Sequence, residues 1–188
     1  MIRAITNIVR KKVTEKVDFM SPDFERLGIQ IIQEIHASFG RSFFIRHVDA
    51  GSDNAAEIEL VNLTTPHYDV ERFGISFVAS PRHADAIIIT GAVTLSMMLA
   101  VKKAYEAMPS PKLVIAVGDD ACTGGVLKDS YAVLGGAEKI IPVDMKIPGN
   151  PPSPNDIMKG LLALMKSIRE QKSIKQAFDM AQDIRRMA

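Results

Sequence analysis

The sequence has little cysteine, no tryptophan and almost no net charge. Its 188 residues include one cysteine, and 23 Lys and Arg balance 22 Asp and Glu to a net charge of +1. One cysteine excludes a disulfide within the chain and any metal centre held by several of the chain's own thiolates. A net charge near zero provides no overall field for nucleic acid, so a nucleic acid partner is not expected.

Long hydrophobic runs are absent as well. No segment approaches the roughly 20 consecutive apolar residues of a membrane-spanning helix, and no signal peptide pattern is visible. The hydrophobic share of 47% and the charged share of 24% are typical of a globular domain with a sizeable core. We therefore expect a single cytosolic domain, with any membrane contact being peripheral.

An apolar run followed by glycines stands near the middle of the chain, in KLVIAVGDDACTGG from Lys112 to Gly125. A buried strand of a parallel sheet has this pattern because helices cover both of its faces. In an open α/β sheet, ligands lie beyond the carboxyl ends of the strands. Residues 118–125 are therefore expected to line any site, although a strand-to-helix loop without a ligand fits the pattern equally well.

Strands and helices alternate along residues 41–168. The apolar segments predict strands at 43–48, 75–78, 86–89, 113–117 and 139–144. Helices are predicted at 52–63, from Thr65, at 94–108 and from about 155. This alternation favours an α/β fold, namely a flavodoxin-like, doubly wound parallel sheet of about four to five strands. The loops at 51–59, 118–125 and 148–154 should then converge at one edge of the sheet.

Helical extensions are predicted at both ends of the chain. Residues 1–17 place apolar side chains near helical spacing, with basic residues between them, which predicts a basic amphipathic helix. The basic positions are Arg3, Arg10, Lys11, Lys12 and Lys16. This helix suits an anionic membrane surface or a groove of a partner protein, but packing on the protein's own surface explains it as well. A second helix from Pro22 to Gly40 completes an N-terminal extension of residues 1–40, and residues 169–188 are expected to form a C-terminal helix.

Several short segments resemble one protein family, in the same order along the chain. They are RHVDAGS (46–52), YDVERFG (68–74), ASPRHAD (79–85), TGAVT (90–94), VIAVGD (114–119) and IPVDMKIPGNPPSP (141–154). Residues 41–168 resemble the small, cluster-carrying subunit of group 4 membrane-bound nickel–iron hydrogenases of the formate hydrogenlyase type. That protein is homologous to the B subunit of NADH–quinone oxidoreductase.

Members of this family hold a four-iron–four-sulfur cluster on four cysteines. Position by position, the resemblance places these cysteines at Asp53, Ala56, Asp120 and Asn150. Such a cluster requires soft thiolate ligands, which none of these four residues provides. Cys122 lies where the family uses no ligand. The resemblance therefore implies that the family's cluster has been lost and that no cofactor is bound.

Acidic residues lie around these four positions. They are Asp53, Glu57, Glu59, Asp119 and Asp120. Together they provide the oxygen ligands of a magnesium or calcium site, or else they cap helices and pair with Arg72 and Arg82. Cys122 is a poor candidate for a catalytic thiol because neighbouring carboxylates raise the pKa of a cysteine. We assign no catalytic residue and no metal ligand.

The resemblance implies a peripheral subunit on the cytoplasmic side of the cell membrane. Its partners would be a large subunit, related to the hydrogenase catalytic subunit and to the D subunit of complex I, and the membrane arm. Arg72, Phe73, Arg82 and His83 match loops that face these partners in the family. With the electron relay lost, we expect a non-catalytic, cluster-free docking subunit of an oxidoreductase-like complex.

Two alternatives remain open. One is an electron-transfer subunit with a cluster on unusual or partner-supplied ligands. The other is a free-standing, flavodoxin-like binding protein that uses the vacated site for a metal ion or a small anion.

Overall fold

The computed structural model describes residues 21–187, with side chains described as far as Lys172. The predicted basic helix, with Arg3, Arg10, Lys11 and Lys12, lies outside the described residues.

Parallel strands form the centre of the fold. Within the described residues, five of them make one sheet in the order β2-β1-β3-β5-β7. Their bounds are Phe43–Asp49 (β1), Ile75–Phe77 (β2), Ala86–Thr90 (β3), Leu113–Val117 (β5) and Met145–Ile147 (β7). Counting only these five strands in chain order gives 2-1-3-4-5, which is the flavodoxin-like arrangement. The predicted fold class is confirmed.

Helices cover both faces of this sheet, which explains why β3 is buried along its whole length. Helices α1 (Pro22–Phe39), α2 (Ala55–Leu63) and α5 (Pro154–Met187) pack on one face. Helices α3 (Met98–Ala107) and α4 (Asp119–Thr123) pack on the other. Successive side chains of a strand point to opposite faces, so Ile88 contacts the first helix layer and Ile87 and Ile89 the second.

Helix α1 begins and ends where the sequence predicted. Pro22 is its first residue, where its missing N–H costs nothing, and Gly40 ends it with a left-handed φ of 67°. Helix α5 lies beside α1, and Arg169 donates to Glu34 at 3.1 Å. The α5 helix is continuous from Pro154 to Met187, so the structure shows no separate helix beginning near 169.

The prediction of a last strand at 139–144 is wrong. Residues Ala137–Lys139 form a short 3-10 helix, and strand β7 begins only at Met145. Pro142 has no N–H for the ladder, and pairing with β5 starts at Asp144, whose N–H donates to Val114 O at 2.9 Å.

Two helix predictions also need correction. Thr94 does not cap a helix but belongs to strand β4 (Val93–Thr94), which pairs antiparallel with β6 (Val133–Gly135). Helix α3 starts later, and Leu95 and Leu99 are exposed rather than in the core. The segment from Thr65 forms turns, followed by a 3-10 helix at Val70–Phe73.

Candidate functional site

The loops predicted to converge do meet at the carboxyl edge of the sheet. Asp53 and Ala56 from the start of α2, Asp120 from α4 and Asn150 from the loop after β7 line one cavity. A side chain added at Gly118 would touch the Ala56 methyl group at 3.4 Å and Gly149 O at 3.7 Å. The cavity volume is about 10 Å³, which is room for a single water molecule.

The loop after β5 is joined directly to the loop after β7. Asp119 N donates to Gly149 O at 2.9 Å, and Gly149 N donates to Asp119 Oδ1, also at 2.9 Å. Gly118 N donates to Ile147 O at 2.9 Å, which extends the β5–β7 ladder. Gly118 itself has φ of 92°, a conformation that favours glycine. These bonds join the two loops that carry Asp120 and Asn150.

The loop between β1 and α2 is held by its own side chains. Asp49 Oδ1 accepts from Gly51 N at 2.8 Å and from Ser52 N at 2.9 Å. Asp53 Oδ1 accepts from Ala55 N at 3.0 Å, in the first turn of α2. Asp53 thus closes a turn at the entry to α2, although the N-cap residue is Asn54, whose side chain makes no capping bond.

The carboxylates at the cavity repel one another. The pKa of Asp120 is raised, first by burial and then by the negative charges of Asp53, Asp119 and Glu57. Within residues 21–187, no three His, Cys, Asp or Glu side chains are close enough to hold a metal ion. The structure therefore gives no support for the magnesium or calcium interpretation of this acidic cluster.

Glu57 and Glu59 lie apart from the centre of the cavity. Glu57 is only 8% exposed, and its Oε2 accepts the hydroxyl hydrogen of Ser52. Glu59 accepts from the Asn62 side chain of the same helix at 3.2 Å. Neither lines the cavity.

Cys122 is buried in the second helix layer. It is 4% exposed, and its thiol donates to Ala116 O at 3.6 Å. Burial raises the pKa of this thiol, so the reactive thiolate form is disfavoured. The four positions to which the resemblance assigns cluster ligands carry Asp53, Ala56, Asp120 and Asn150, and Cys122 packs in the second helix layer. The residues present therefore do not fit a four-iron–four-sulfur cluster.

The predicted contact residues divide into two groups. Arg82 and His83 are exposed on the 3-10 helix Pro81–His83. Arg72 forms an ion pair with Glu25 and lies 4.5 Å from the centre of the Phe73 ring. Phe73 is only 5% exposed and packs in the core, which removes it from the predicted contact surface.

Sequence reasoning missed a chain of polar side chains behind the cavity, in which Glu57 and Thr90 are buried and His47 and Ser52 are partly exposed. His47 Nε2 lies 2.8 Å from Thr90 Oγ1 and 3.8 Å from Glu57 Oε1, and Glu57 in turn holds Ser52. The sequence alone gives little indication of these contacts. His47 and Thr90 lie on neighbouring strands and face α2, but only the register of those strands shows this.

Sequence reasoning also missed an exposed apolar surface beside β4 and β6. Val126 and Tyr131 are 91% and 96% exposed, and Leu95 and Leu127 are more than half exposed. Leu95 N donates to Ala132 O at 2.9 Å, which brings Leu95 next to the segment carrying Tyr131. We call Leu95, Val126, Leu127 and Tyr131 the apolar surface.

Comparison with known proteins points to one family. Residues 54–164 match the family described as NADH ubiquinone oxidoreductase, 20 Kd subunit. The chain is 41% identical over 137 residues to the probable membrane-bound hydrogenase subunit mbhJ of Pyrococcus furiosus, covering 73% of this chain and 82% of that protein. It is 44% identical over 132 residues to formate hydrogenlyase subunit 7 of Escherichia coli, covering 70% and 51%.

Further relatives extend this group. The B subunit of NADH-quinone oxidoreductase from Geobacter metallireducens is 47% identical over 116 residues, covering 62% of this chain and 68% of that protein. Among solved structures, a chain of the membrane-bound sulfane sulfur reductase, an archaeal respiratory membrane complex, is 35% identical with a TM-score of 0.63, covering 74% of this chain and 76% of that chain. The resemblance seen in the sequence is confirmed, and the chain belongs to the family of the NADH ubiquinone oxidoreductase 20 kDa subunit.

Proposed function

We propose that this chain is a cluster-free docking subunit of a membrane-associated, hydrogenase-like or complex I-like assembly. In this role it bridges a large subunit, related to the hydrogenase catalytic subunit, and the membrane arm, on the cytoplasmic side of the membrane. It contributes contacts rather than catalysis and carries no cofactor.

One observation carries this proposal. The four positions that hold the family's cluster meet around one cavity, yet they carry Asp53, Ala56, Asp120 and Asn150. The loop architecture has been kept while every thiolate has been replaced. Ala56 offers no ligand, Asn150 is a poor donor, and two carboxylates do not make up for four thiolates, so retention of the fold is better explained by a contact role.

The apolar surface supports docking. Soluble monomers rarely expose several large apolar side chains together, and such patches commonly mark protein–protein contacts. Val126 and Tyr131 are almost fully exposed, so contact with another subunit would bury apolar area that the fold itself leaves in water.

The relatives support attachment to a membrane complex. Two of them are named as a membrane-bound hydrogenase subunit and a formate hydrogenlyase subunit. Among residues 21–187, no helix combines the length and apolar character needed to cross a membrane. We propose that association with the membrane is peripheral and runs through partner subunits.

Iron analysis tests the absence of a cluster. The complex is prepared without oxygen from cells expressing the tagged full chain, and the released subunit is assayed for iron and acid-labile sulfide. We expect neither, and no broad absorbance near 400 nm. About four irons per chain would restore the electron-relay alternative and overturn the cluster-free role.

A pair of surface variants tests docking. The double variant Val126→Ser/Tyr131→Ser should lose co-purification with partner subunits from membranes, because it removes apolar area from the contact. Ile29→Ser is the matched control, since Ile29 is 51% exposed on α1, in the other helix layer. Circular dichroism checks that both variants fold. Equal recovery of partners with the double variant and the control would contradict docking through this surface.

A further inference from the structure

A buried carboxylate oxygen without a hydrogen-bond donor lies behind the cavity. Glu57 is 8% exposed, and its Oε2 is held by the Ser52 hydroxyl. Its Oε1 has no hydrogen-bond partner among the described residues. A buried acceptor left unpaired costs stability, more so when it is charged, so a donor that approaches it would gain the full value of the bond.

His47 is a group beside Glu57 that can become such a donor. Its Nε2 lies 3.8 Å from Glu57 Oε1, just beyond hydrogen-bond distance. The same nitrogen lies 2.8 Å from the Oγ1 atom of Thr90, which is fully buried. His47 Nε2 therefore stands between a hydroxyl on β3 and a carboxylate on α2.

Protonation changes what this nitrogen can do. In the neutral tautomer with its hydrogen on Nδ1, Nε2 accepts the hydroxyl hydrogen of Thr90, and in the other tautomer Nε2 donates its hydrogen to the Thr90 oxygen. Neither tautomer gives Glu57 a charged donor. In the imidazolium both nitrogens are donors, so Thr90 can no longer donate to Nε2. A charged N–H beside an ionised carboxylate forms a hydrogen bond roughly twice as strong as a neutral one.

The charged groups that face His47 include both acidic and basic side chains. Glu57 on α2 and Asp49 on β1 favour the protonated ring, whereas Arg46 on β1 opposes it. Thr90 on β3 contributes only a hydroxyl group. Burial is the largest influence and lowers the pKa of His47, so the neutral ring prevails in neutral solution and acidification is needed to charge it.

We propose that protonation of His47 closes a charged hydrogen bond to Glu57 and thereby draws α2 towards β1. This makes the His47–Glu57 pair a proton-operated contact that sets the position of the cavity loop. The proposal goes beyond the docking function and does not depend on it.

The loop is coupled to this contact by a second bond. Ser52 Oγ donates to Glu57 and accepts from Asn54 N at 2.7 Å, so a shift of Glu57 moves the segment that carries Asp53. Ser52 and Asp53 both line the cavity. Proton uptake at His47 is therefore transmitted to the cavity through one side chain.

Nuclear magnetic resonance of the full chain tests the proposal. The imidazole signals of the four histidines are followed with pH, and His47 is assigned by its absence in His47→Gln. In the wild type, the amide signals of residues 51–54 should titrate with the midpoint of His47. In Glu57→Gln, that midpoint should move to lower pH, because a negative charge has been removed. The coupled loop shift should then disappear.

Glu59→Gln is the matched control, since Glu59 lies on the same helix and bonds to Asn62 instead. It should leave the His47 midpoint and the loop titration unchanged. Loop amides that do not follow His47 in the wild type would overturn the proposal without any variant. An unchanged or raised His47 midpoint in folded Glu57→Gln would overturn it as well.

Discussion

Asp119 and Gly149 are joined by two hydrogen bonds, one in each direction. The Asp119 N–H donates to Gly149 O and the Asp119 carboxylate accepts from Gly149 N–H, both at 2.9 Å. The two residues are neighbours of Asp120 and Asn150, two of the positions at which the family places cluster ligands. A peptide group and a carboxylate thus connect two loops of the cavity.

We expect Asp119→Ala to destabilise the fold by about 1–3 kcal/mol, because it leaves Gly149 N–H without its acceptor in a partly buried position. Asp119→Asn keeps the Oδ1 acceptor and should retain most of the stability. Urea unfolding followed by circular dichroism measures both. Asp129→Ala, at an exposed acidic residue, is the control for loss of one charge. An Asp119→Ala variant as stable as this control would contradict a role for the side chain in joining the loops.

Gly91→Ala should be more destabilising than Gly40→Ala, although both glycines have left-handed φ angles, 72° and 67°. A side chain at Gly91 would collide with the backbone of Ser52, whereas the space around Gly40 is open. The strain of the left-handed conformation, about 1–2 kcal/mol, is common to the two variants. The difference between their unfolding free energies therefore measures the close packing of the cavity loop. Equal losses of unfolding free energy would show that the cavity loop moves to accommodate the added side chain at little cost.

Restoring four cysteines should restore cluster binding. The variant Asp53→Cys/Ala56→Cys/Asp120→Cys/Asn150→Cys, treated with iron and sulfide without oxygen, should take up about four irons and absorb near 400 nm. The cavity must widen for this, since it now holds only about one water molecule.

The wild type under the same treatment should remain colourless. A variant with cysteine at only one of the four positions and serine at the other three should remain colourless as well. If the four-cysteine variant folds but binds no iron, the loops do not converge closely enough to form the family's site.

Asp120→Asn should stabilise the protein at neutral pH. Burial and the surrounding carboxylates raise the pKa of Asp120 above its usual 3.8, so the folded state binds a proton more tightly than the unfolded state. Stability from this group is therefore present at low pH and is lost as pH rises through the folded pKa. The gain in stability from Asp120→Asn should appear at pH values above the folded pKa of Asp120 and vanish below about pH 3.8. Thermal unfolding measured across pH checks this. A gain that is independent of pH would contradict this origin.

Much of the fold could be predicted because most of its strands are recognisable from their own apolar residues. The run 113–117 is apolar on both faces, as a strand covered by two helix layers must be, and it forms β5. Strand β7 was misplaced because its start depends on Asp144, whose N–H and carboxylate both bond to Val114 on β5. Strand β4 was missed because its partner, β6, lies about 40 residues further along the chain.

The candidate site, like the fold, could be predicted only in part. The cavity was found because its residues lie within or shortly after segments that resemble the family and that follow parallel strands. The contact between His47 and Glu57 was not found, since nothing in the sequence pairs these two residues and their approach depends on how α2 packs across β1 and β3. Phe73 was misjudged because it was assigned to the contact surface together with its loop, and only the packing shows that its side chain is buried.

In the proposed cluster-free role, the two hydrogen bonds between Asp119 and Gly149 change what the protein needs in order to mature. Loops joined through metal and thiolate are complete only after iron and sulfide have been delivered, and oxygen can take them apart. Loops joined by a carboxylate and peptide groups reach their arrangement as soon as the chain folds, and no oxidant breaks them. In the proposed cluster-free role, folding and maturation of this pair of loops are a single event, independent of the iron supply.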